Sequence, residues 1–156
     1  NAQEAGYTEP DPRLDLSGRD VLRKLIIMAR EAGIPIDEND VDSVPVLPAE
    51  YFSGDVNAFY KMLEDNEETF SSHWKEAAGK GCRQRFIASI ESDGDSGYRC
   101  SMGLRDVSQE HPLYNLAGTD NSAIITTDFY PSPLVIQGAG AGAFQTAGGI
   151  LNDILQ

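Results

Sequence analysis

Basic residues are scarce in this sequence. Twelve lysines and arginines stand against 25 aspartates and glutamates, which gives a formal net charge of -13 at pH 7. The basic residues form no cluster that would offset the repulsion between this charge and a phosphate backbone. We therefore do not expect nucleic acid or an anionic membrane surface as a partner.

Long apolar runs are also absent. No run approaches the roughly 20 residues that a membrane-spanning helix needs. The polar start NAQEAGYTEPDP lacks the apolar segment of a signal peptide. We expect a soluble cytoplasmic protein.

Cysteine and histidine are too few and too scattered for a metal site of the usual kind. Cys82 and Cys100 lie 18 residues apart, with no CxxC pair and no histidine at ligand spacing. His73 and His111 stand alone in polar surroundings. We therefore expect no metal site. We also expect two buried free thiols rather than a disulfide, because a hairpin between the cysteines would place Cys100 opposite about Ser89 rather than Cys82.

Apolar residues are plentiful enough for one domain, since they make up 40% of the 156 residues. Their spacing predicts a helix over 17–32, with a capping box formed by Ser17 and Asp20 at its start. Pro10 and Pro12 predict a rigid extended loop before it. The pattern also indicates an extended segment at 41–47 and a second, longer helical region at 55–78.

Strand-forming residues dominate the second half. Segments 83–92 and 98–106 flank turn residues and predict an antiparallel hairpin, to which 122–130 should add a third strand. Leu134 to Gln137 resumes an extended course, and a glycine loop leads into an apolar helix from about Thr146 to Leu155. This order indicates an α+β fold, an antiparallel or mixed sheet covered by helices.

One candidate site combines acidic side chains with a lysine: Glu9, Asp11, Asp15, Asp20 and Lys24. Asp20 and Lys24 are four residues apart and therefore share a helix face. Such a pair can be an ordinary surface interaction worth about 0.3 kcal/mol. The alternative is a substrate site, in which prolines fix carboxylates that bind an amino group and the protonated lysine donates to a carbonyl oxygen. Spacing alone does not separate these interpretations.

A second candidate site is the glycine-rich stretch of Gly138, Gly140 and Gly142. Together with Ala143 it fits G-x-G-x-x-A between a strand and a helix, a pattern of dinucleotide-binding folds. Such a fold needs an acidic residue about 20 positions later, yet 13 residues remain after Ala143. The stretch is therefore either part of a cofactor site or a tight turn that packs a helix on a strand.

The first cluster stands in a longer pattern: Gly6-Tyr7-Thr8-Glu9-Pro10-Asp11-Pro12-Arg13, then Asp15-Leu16-Ser17-Gly18, then Asp20-Val21 and Arg23-Lys24. This pattern resembles the signature of homoserine dehydrogenases, most closely of those fused to aspartokinase. The similarity continues through Val46-Leu47-Pro48-Ala49-Glu50 and the glycine-rich end. It departs from the family at Leu14, where an aspartate is usual.

The resemblance implies an oxidoreductase that interconverts L-homoserine and L-aspartate 4-semialdehyde with NAD(P), in threonine and methionine biosynthesis. It implies catalytic roles for Lys24 and Asp20. The implied substrate-binding residues are Glu9, Asp15, Asp20 and Tyr7. The implied cofactor contacts are Gly142, Gly140 and Gly138. The residues that discriminate NAD from NADP would lie in a nucleotide-binding domain that this chain lacks.

The resemblance also implies how the chain is organised. Residues 1–137 would form the substrate-binding, catalytic and dimerisation domain, and residues 138–156 a glycine loop and helix that belong to an otherwise absent Rossmann domain. We expect a homodimer through the sheet, a fused aspartokinase domain in the full-length protein, and no turnover by this chain alone. Two alternatives remain: a non-catalytic dimerisation or regulatory module, and a related oxidoreductase acting on another amino-acid semialdehyde.

Overall fold

The structure, a computed structural model, describes residues 9–94, 97–140 and 142–155. The helices and strands, in chain order, are α1 (Pro12–Leu16), α2 (Arg19–Glu31), β1 (Val41–Ser43), α3 (Val56–Asp65), α4 (Glu67–Gly79), β2 (Arg83–Ser92), β3 (Tyr98–Val107), β4 (Asp120–Ile125), β5 (Leu134–Ala139) and α5 (Ala143–Leu155). This mixture confirms the predicted α+β class. The contacts divide the chain into two compact units, Asn1–Asp106 (unit 1) and Val107–Gln156 (unit 2).

The loop before α2 contains a short helix. Pro12 occupies the first position of α1, and the carboxylate of Asp11 caps it by accepting the amide N–H of Arg13 at 3.0 Å. Proline is favoured at this position because the first amide of a helix has no partner within the helix and because the proline ring presets φ. The predicted extended path was therefore wrong from Pro12 onward.

Helix α2 confirms the helix predicted over 17–32 but begins differently. Its N-cap is Gly18, in the left-handed region with φ 73°. Ser17 instead ends α1, where its hydroxyl donates to the carbonyl of Leu14 at 2.8 Å. The Ser17 hydroxyl also accepts the amide N–H of Arg19, the first residue of α2, at 3.3 Å. The predicted capping box of Ser17 and Asp20 was nevertheless wrong, because the N-cap of α2 is Gly18 and not Ser17.

Unit 1 contains a three-stranded sheet in the order β1-β3-β2, with β1 parallel to β3 and Val41 opposite Cys100. Helix α2 packs on this sheet. The buried residues of this core are Leu25, Ile26, Ala29, Ile34, Ile36, Val41, Cys100 and Met102. A second buried cluster holds Leu47, Tyr51 and Phe59, with Leu16 of α1 packed against it. The first core thus holds α2 on the sheet, and the second cluster holds α1 through Leu16.

Strands β2 and β3 confirm the predicted hairpin. The amide of Asp93 donates to the carbonyl of Gly97 at 3.1 Å, and the hydroxyls of Ser89 and Ser101 lie 3.0 Å apart. Ser101 therefore faces Ser89, and the predicted register, with Cys100 in that place, was one residue off. Both cysteines are free thiols, Cys100 buried and Cys82 half-buried.

The helical region predicted as one segment is two helices. Asn66 is the C-cap of α3 and the N-cap of α4, with φ -115° and ψ 12°. Its side-chain amide donates to the carbonyl of Met62 at 2.8 Å. The helical region predicted over 55–78 is confirmed, and the break at Asn66 is not visible in the sequence because the apolar spacing continues across it. The extended segment predicted at 41–47 is strand only at Val41–Ser43.

Unit 2 is built from β4, β5 and α5. Strand β4 pairs antiparallel with β5, with Ile124 opposite Val135, and the two form their own sheet. The prediction that 122–130 joins the hairpin as a third strand was wrong, and the strand ends at Ile125. The extended course from Leu134 and the apolar helix to Leu155 are confirmed. Among the described helices, none combines the length and apolarity that a membrane crossing requires.

Candidate active site

Lys24 and Asp20 form an ion pair on the outer face of α2. Lys24 Nζ lies 2.8 Å from Asp20 Oδ2, and the two side chains are 57% and 71% exposed. The opposite face of the helix buries Leu25 and Ala29. The predicted pairing is thus present, and the buried face holds the helix so that both groups project outward.

This pair contributes little to stability. Exposed ion pairs at i,i+4 are worth about 0.3–0.5 kcal/mol, because water screens the charges. The lysine ammonium has three N–H donors, so its bond to Asp20 leaves it able to donate to a second oxygen. Chemically, the arrangement is an oriented cation that can polarise a carbonyl group brought to this surface.

Glu9 and Asp15 are joined at the beginning of the described chain. The amide N–H of Glu9 donates to Asp15 Oδ2 at 3.0 Å, and both residues are exposed. Asp15 lies on α1, which contacts α2. The structure therefore places Asp15 on α1 and Asp20 on α2, and Glu9, in the loop before α1, is bonded to Asp15. Tyr7, the remaining predicted substrate contact, lies outside the described residues.

Gly18 fixes the junction between these helices, a role that its place in the sequence did not predict. It is buried with φ 73°, and a Cβ at this position would lie 2.9 Å from Met102 Cε and 3.4 Å from Phe86 Cζ. Both neighbours belong to the sheet. The backbone turn between α1 and α2 is thus seated directly on the sheet, where only glycine fits without displacement.

Asp11 and Arg13 form a second ion pair, on α1. Arg13 Nη2 lies 2.6 Å from Asp11 Oδ2, with the two side chains 19% and 31% exposed. The side-chain hydrogen bond from Arg13 lowers the pKa of the Asp11 carboxyl, and the same bond raises the pKa of Arg13. The neighbouring Leu14 is 56% exposed and adds no charge.

The predicted cofactor glycines belong to unit 2. Gly138 is the penultimate residue of β5, and a Cβ there would meet no atom within 4 Å. The amide of Gly140 donates to the carbonyl of Thr119 at 2.8 Å. Gly142, with φ 130°, precedes α5. A strand before these glycines and a helix after them are present, and open backbone at Gly138 permits close approach of a ligand.

Within the described ranges, no group of three or more histidine, cysteine, aspartate or glutamate side chains is arranged to hold a metal ion.

The sequence is similar to those of known proteins. A bifunctional aspartokinase/homoserine dehydrogenase of Haemophilus influenzae is 41% identical over 157 residues, which are 99% of this chain and 19% of that protein. The homoserine dehydrogenase of Saccharomyces cerevisiae is 38% identical over 158 residues, 99% of this chain and 43% of that protein. The chain therefore spans less than half the length of these relatives.

Solved structures show the same fold. A putative homoserine dehydrogenase from Archaeoglobus fulgidus matches 98% of this chain and 39% of its own with a TM-score of 0.69 and 29% identity. A Candida auris protein described as of unknown function matches 99% of this chain and 43% of its own, with a TM-score of 0.86 and 34% identity. The homoserine dehydrogenase family profile matches residues 1–155. Because that match covers nearly the whole chain, the chain belongs to the homoserine dehydrogenase family.

Proposed function

We propose that the full-length protein containing this chain interconverts L-homoserine and L-aspartate 4-semialdehyde, with Lys24 as the proton donor and acceptor. The observation that carries this proposal is the Asp20–Lys24 pair, with 2.8 Å between carboxylate and ammonium on the exposed face of α2. Family membership supplies the reaction class, an oxidoreductase with a nicotinamide cofactor.

Each charged group has a role that its chemistry allows. In the reducing direction, Lys24 donates a proton or hydrogen bond to the aldehyde oxygen as hydride reaches the aldehyde carbon, and Asp20 orients the ammonium. The carboxylate of Glu9, with that of Asp15, binds the amino group of the substrate. In the oxidising direction Lys24 accepts the proton from the hydroxyl group.

The nicotinamide cofactor, when bound, supplies or accepts the hydride. Gly138 can approach part of such a ligand because its backbone carries no side chain and nothing lies within 4 Å of its Cβ position. At Gly140 and Gly142 the side chains of Asn121 and Gln145 occupy the corresponding space, so a ligand would approach these two glycines from their other sides. A complete dinucleotide fold needs further βαβ elements, so we propose that most of the cofactor site lies in a nucleotide-binding domain on which residues 138–156 pack. The chain by itself should then not turn over, and the preference for NAD or NADP is set outside it.

We propose that a homodimer would use the face of β2 and β3 opposite to the one on which α2 packs. Strand β4 belongs to the other sheet and is not part of that surface. We further propose a cytoplasmic enzyme of threonine and methionine biosynthesis. A fused aspartokinase domain is supported by the bifunctional relatives.

A matched pair of lysine variants tests the catalytic role. Lys80 forms an ion pair with Glu76 at 2.7 Å and i,i+4 spacing, with side-chain exposures of 62% and 63%, much like the Lys24 pair. In the full-length protein, Lys24→Ala should lower kcat for homoserine oxidation by about 100-fold to 10,000-fold, the usual loss of a general acid or base. Lys80→Ala should leave kcat unchanged, and urea unfolding should show equal stability for both variants.

The two alternatives give different results in the same assay. A non-catalytic module would show the same turnover for Lys24→Ala and Lys80→Ala. A related dehydrogenase would ignore homoserine and oxidise another amino-acid alcohol, in a panel of such substrates, with the same dependence on Lys24. Either result would contradict the proposed substrate or the proposed role.

A further inference from the structure

The guanidinium of Arg13 connects two segments that are far apart in the sequence. On one side it grips Asp11, with Nε 2.9 Å from Oδ1 and Nη2 2.6 Å from Oδ2. On the other side Nη1 donates to the carbonyl of Gly54 at 2.7 Å, across 41 residues of sequence. Arg13 therefore ties the residue that caps α1 to the loop that precedes α3.

Helix α1 depends on such anchors. It has five residues, and a helix this short is not stable by itself because nucleation is costly and few hydrogen bonds follow. Two of its residues are held by packing, since Pro12 is buried and Leu16 lies against the cluster of Leu47, Tyr51 and Phe59. Arg13 supplies the polar anchor.

The position of α1 matters because Asp15 lies on it. The amide of Glu9 is bonded to the Asp15 carboxylate, so a shift of α1 would move the backbone that carries both acidic residues. Displacements of about 1 Å in groups that position a substrate can lower enzyme efficiency by about 100-fold. The contact between Arg13 and Gly54 is thus coupled to the geometry of the two acids through a continuous set of bonds.

We propose that Arg13 is a positioning residue for substrate binding: by joining Asp11 to the carbonyl of Gly54 it sets the place of Glu9 and Asp15, which bind the substrate's amino group. This proposal rests on the proposed function.

Only arginine can make this connection. Its planar fork offers two parallel donors to the Asp11 carboxylate and a further donor to Gly54, whereas a lysine ammonium is a single point of charge. The acceptor is also specially placed. Gly54 has φ 76°, and a Cβ there would lie 3.3 Å from the Cβ of Ala58, so a side chain at Gly54 would disturb the carbonyl that Arg13 binds.

Arg30, in the last turn of α2, provides a matched control. Its Nε donates to the carbonyl of Ile36 at 3.0 Å, and its Nη2 pairs with Asp37. Like Arg13, it joins a carboxylate to a backbone carbonyl. It lies six residues after Lys24, about 9 Å further along the helix axis, and takes no part in the proposed site.

The test compares Arg13→Lys with Arg30→Lys in the full-length protein, using steady-state kinetics with homoserine and with the cofactor as separate variable substrates. We expect Arg13→Lys to raise the KM for homoserine about 10-fold or more, with kcat changed less than about 3-fold and the KM for the cofactor unchanged, because a lost binding contact acts on substrate affinity. Arg30→Lys should match the unmodified protein in all three constants.

A second variant keeps the proposal testable if Arg13→Lys fails to fold. Gly54→Ala disturbs the same hydrogen bond from the acceptor side, and it should also raise the KM for homoserine selectively. Equal homoserine KM values in the position 13 and position 30 variants, or in Gly54→Ala and the unmodified protein, would overturn the role of Arg13. No turnover of homoserine by the unmodified protein would overturn the proposed function instead.

Discussion

Unit 1 and unit 2 both contain apolar strands and helices, but they differ in where the apolar side chains lie. Unit 1 buries two clusters, one between α2 and the sheet and one around Phe59, which is 0% exposed. Among the described residues of unit 2, the buried hydrophobic ones are Val107 and Leu113, while Phe129 and Phe144 are 92% and 91% exposed. Apolar composition therefore does not by itself give a core.

The difference lies in how the elements meet. In unit 1, α2 covers one face of a sheet, which removes both apolar surfaces from water. In unit 2, the residues of β5 are exposed along its whole length, and Ile154 and Leu155 of α5 are 73% and 76% exposed. Unit 1 is thus stabilised by apolar cores of its own. In unit 2 many apolar side chains are exposed, and large exposed apolar patches are typical of surfaces that contact another protein.

The largest expected effect comes from exchanging one phenylalanine in each unit. Phe59→Ala should lower the free energy of unfolding by about 3–5 kcal/mol, because it leaves a cavity in a closed cluster. Phe144→Ala should change it by less than about 0.5 kcal/mol, since that side chain already faces solvent. Urea unfolding followed by circular dichroism measures both. Equal losses would show that the burial difference between the units does not hold in solution.

A smaller effect is expected from glycines with positive φ in each unit. Gly18 has φ 73° and Gly118 has φ 61°, so alanine is strained at both positions by about 1–2 kcal/mol. At Gly18 the new Cβ would also meet Met102 and Phe86, whereas nothing lies within 4 Å at Gly118. Gly18→Ala should therefore cost about 1 kcal/mol more than Gly118→Ala in the same unfolding experiment, at the low end for overpacking, because the nearest atom is the end of the flexible Met102 side chain. Equal costs would mean that the side chains of Met102 and Phe86 move aside at little cost in free energy.

The smallest effect concerns one carboxyl group in each unit. Hydrogen bonds lower the pKa of Asp11, through Arg13, and that of Glu110, through the Ser108 hydroxyl. A carboxyl group whose pKa is lower in the folded state stabilises the fold above its unfolded pKa, and this stabilisation is lost as pH falls through the folded value. Arg13→Lys should raise the pKa of Asp11 alone, and Ser108→Ala that of Glu110 alone. Carbon-detected NMR titration measures both pKa values. If a substitution leaves the pKa of the carboxyl group unchanged, the hydrogen bond that it removes does not form in solution.

Local patterns predicted the elements that depend on neighbouring residues. The spacing of apolar residues located α2, β2, β3 and α5, and the i,i+4 rule placed Lys24 beside Asp20. The Asp11-Pro12 start of α1 was also readable, because aspartate caps and proline opens helices, but the prolines were interpreted only as helix breakers. The break at Asn66 was hidden because the apolar spacing of α3 continues into α4.

Long-range choices could not be read from the sequence. The strand-forming residues of β4 fit a strand, but nothing in them selects β5 over the hairpin as partner. The bond from Arg13 to Gly54 spans 41 residues, so it depends on the completed packing of α1 near α3. The burial of Gly18 likewise depends on where Met102 and Phe86 come to lie. These contacts decide how the acidic residues of the candidate site are arranged.

The parallel pairing of β1 with β3 has a consequence for how the protein is made. A ribosome adds residues from the N terminus, so β1 emerges well before β3, with α3, α4 and β2 synthesised in between. Until Cys100 and Met102 follow, Val41 and the apolar face of α2 have no completed sheet to cover them. The hairpin of β2 and β3 involves only near neighbours and forms quickly once it leaves the ribosome. Helix α2 therefore reaches its final support only after β3 has been synthesised, long after α2 itself.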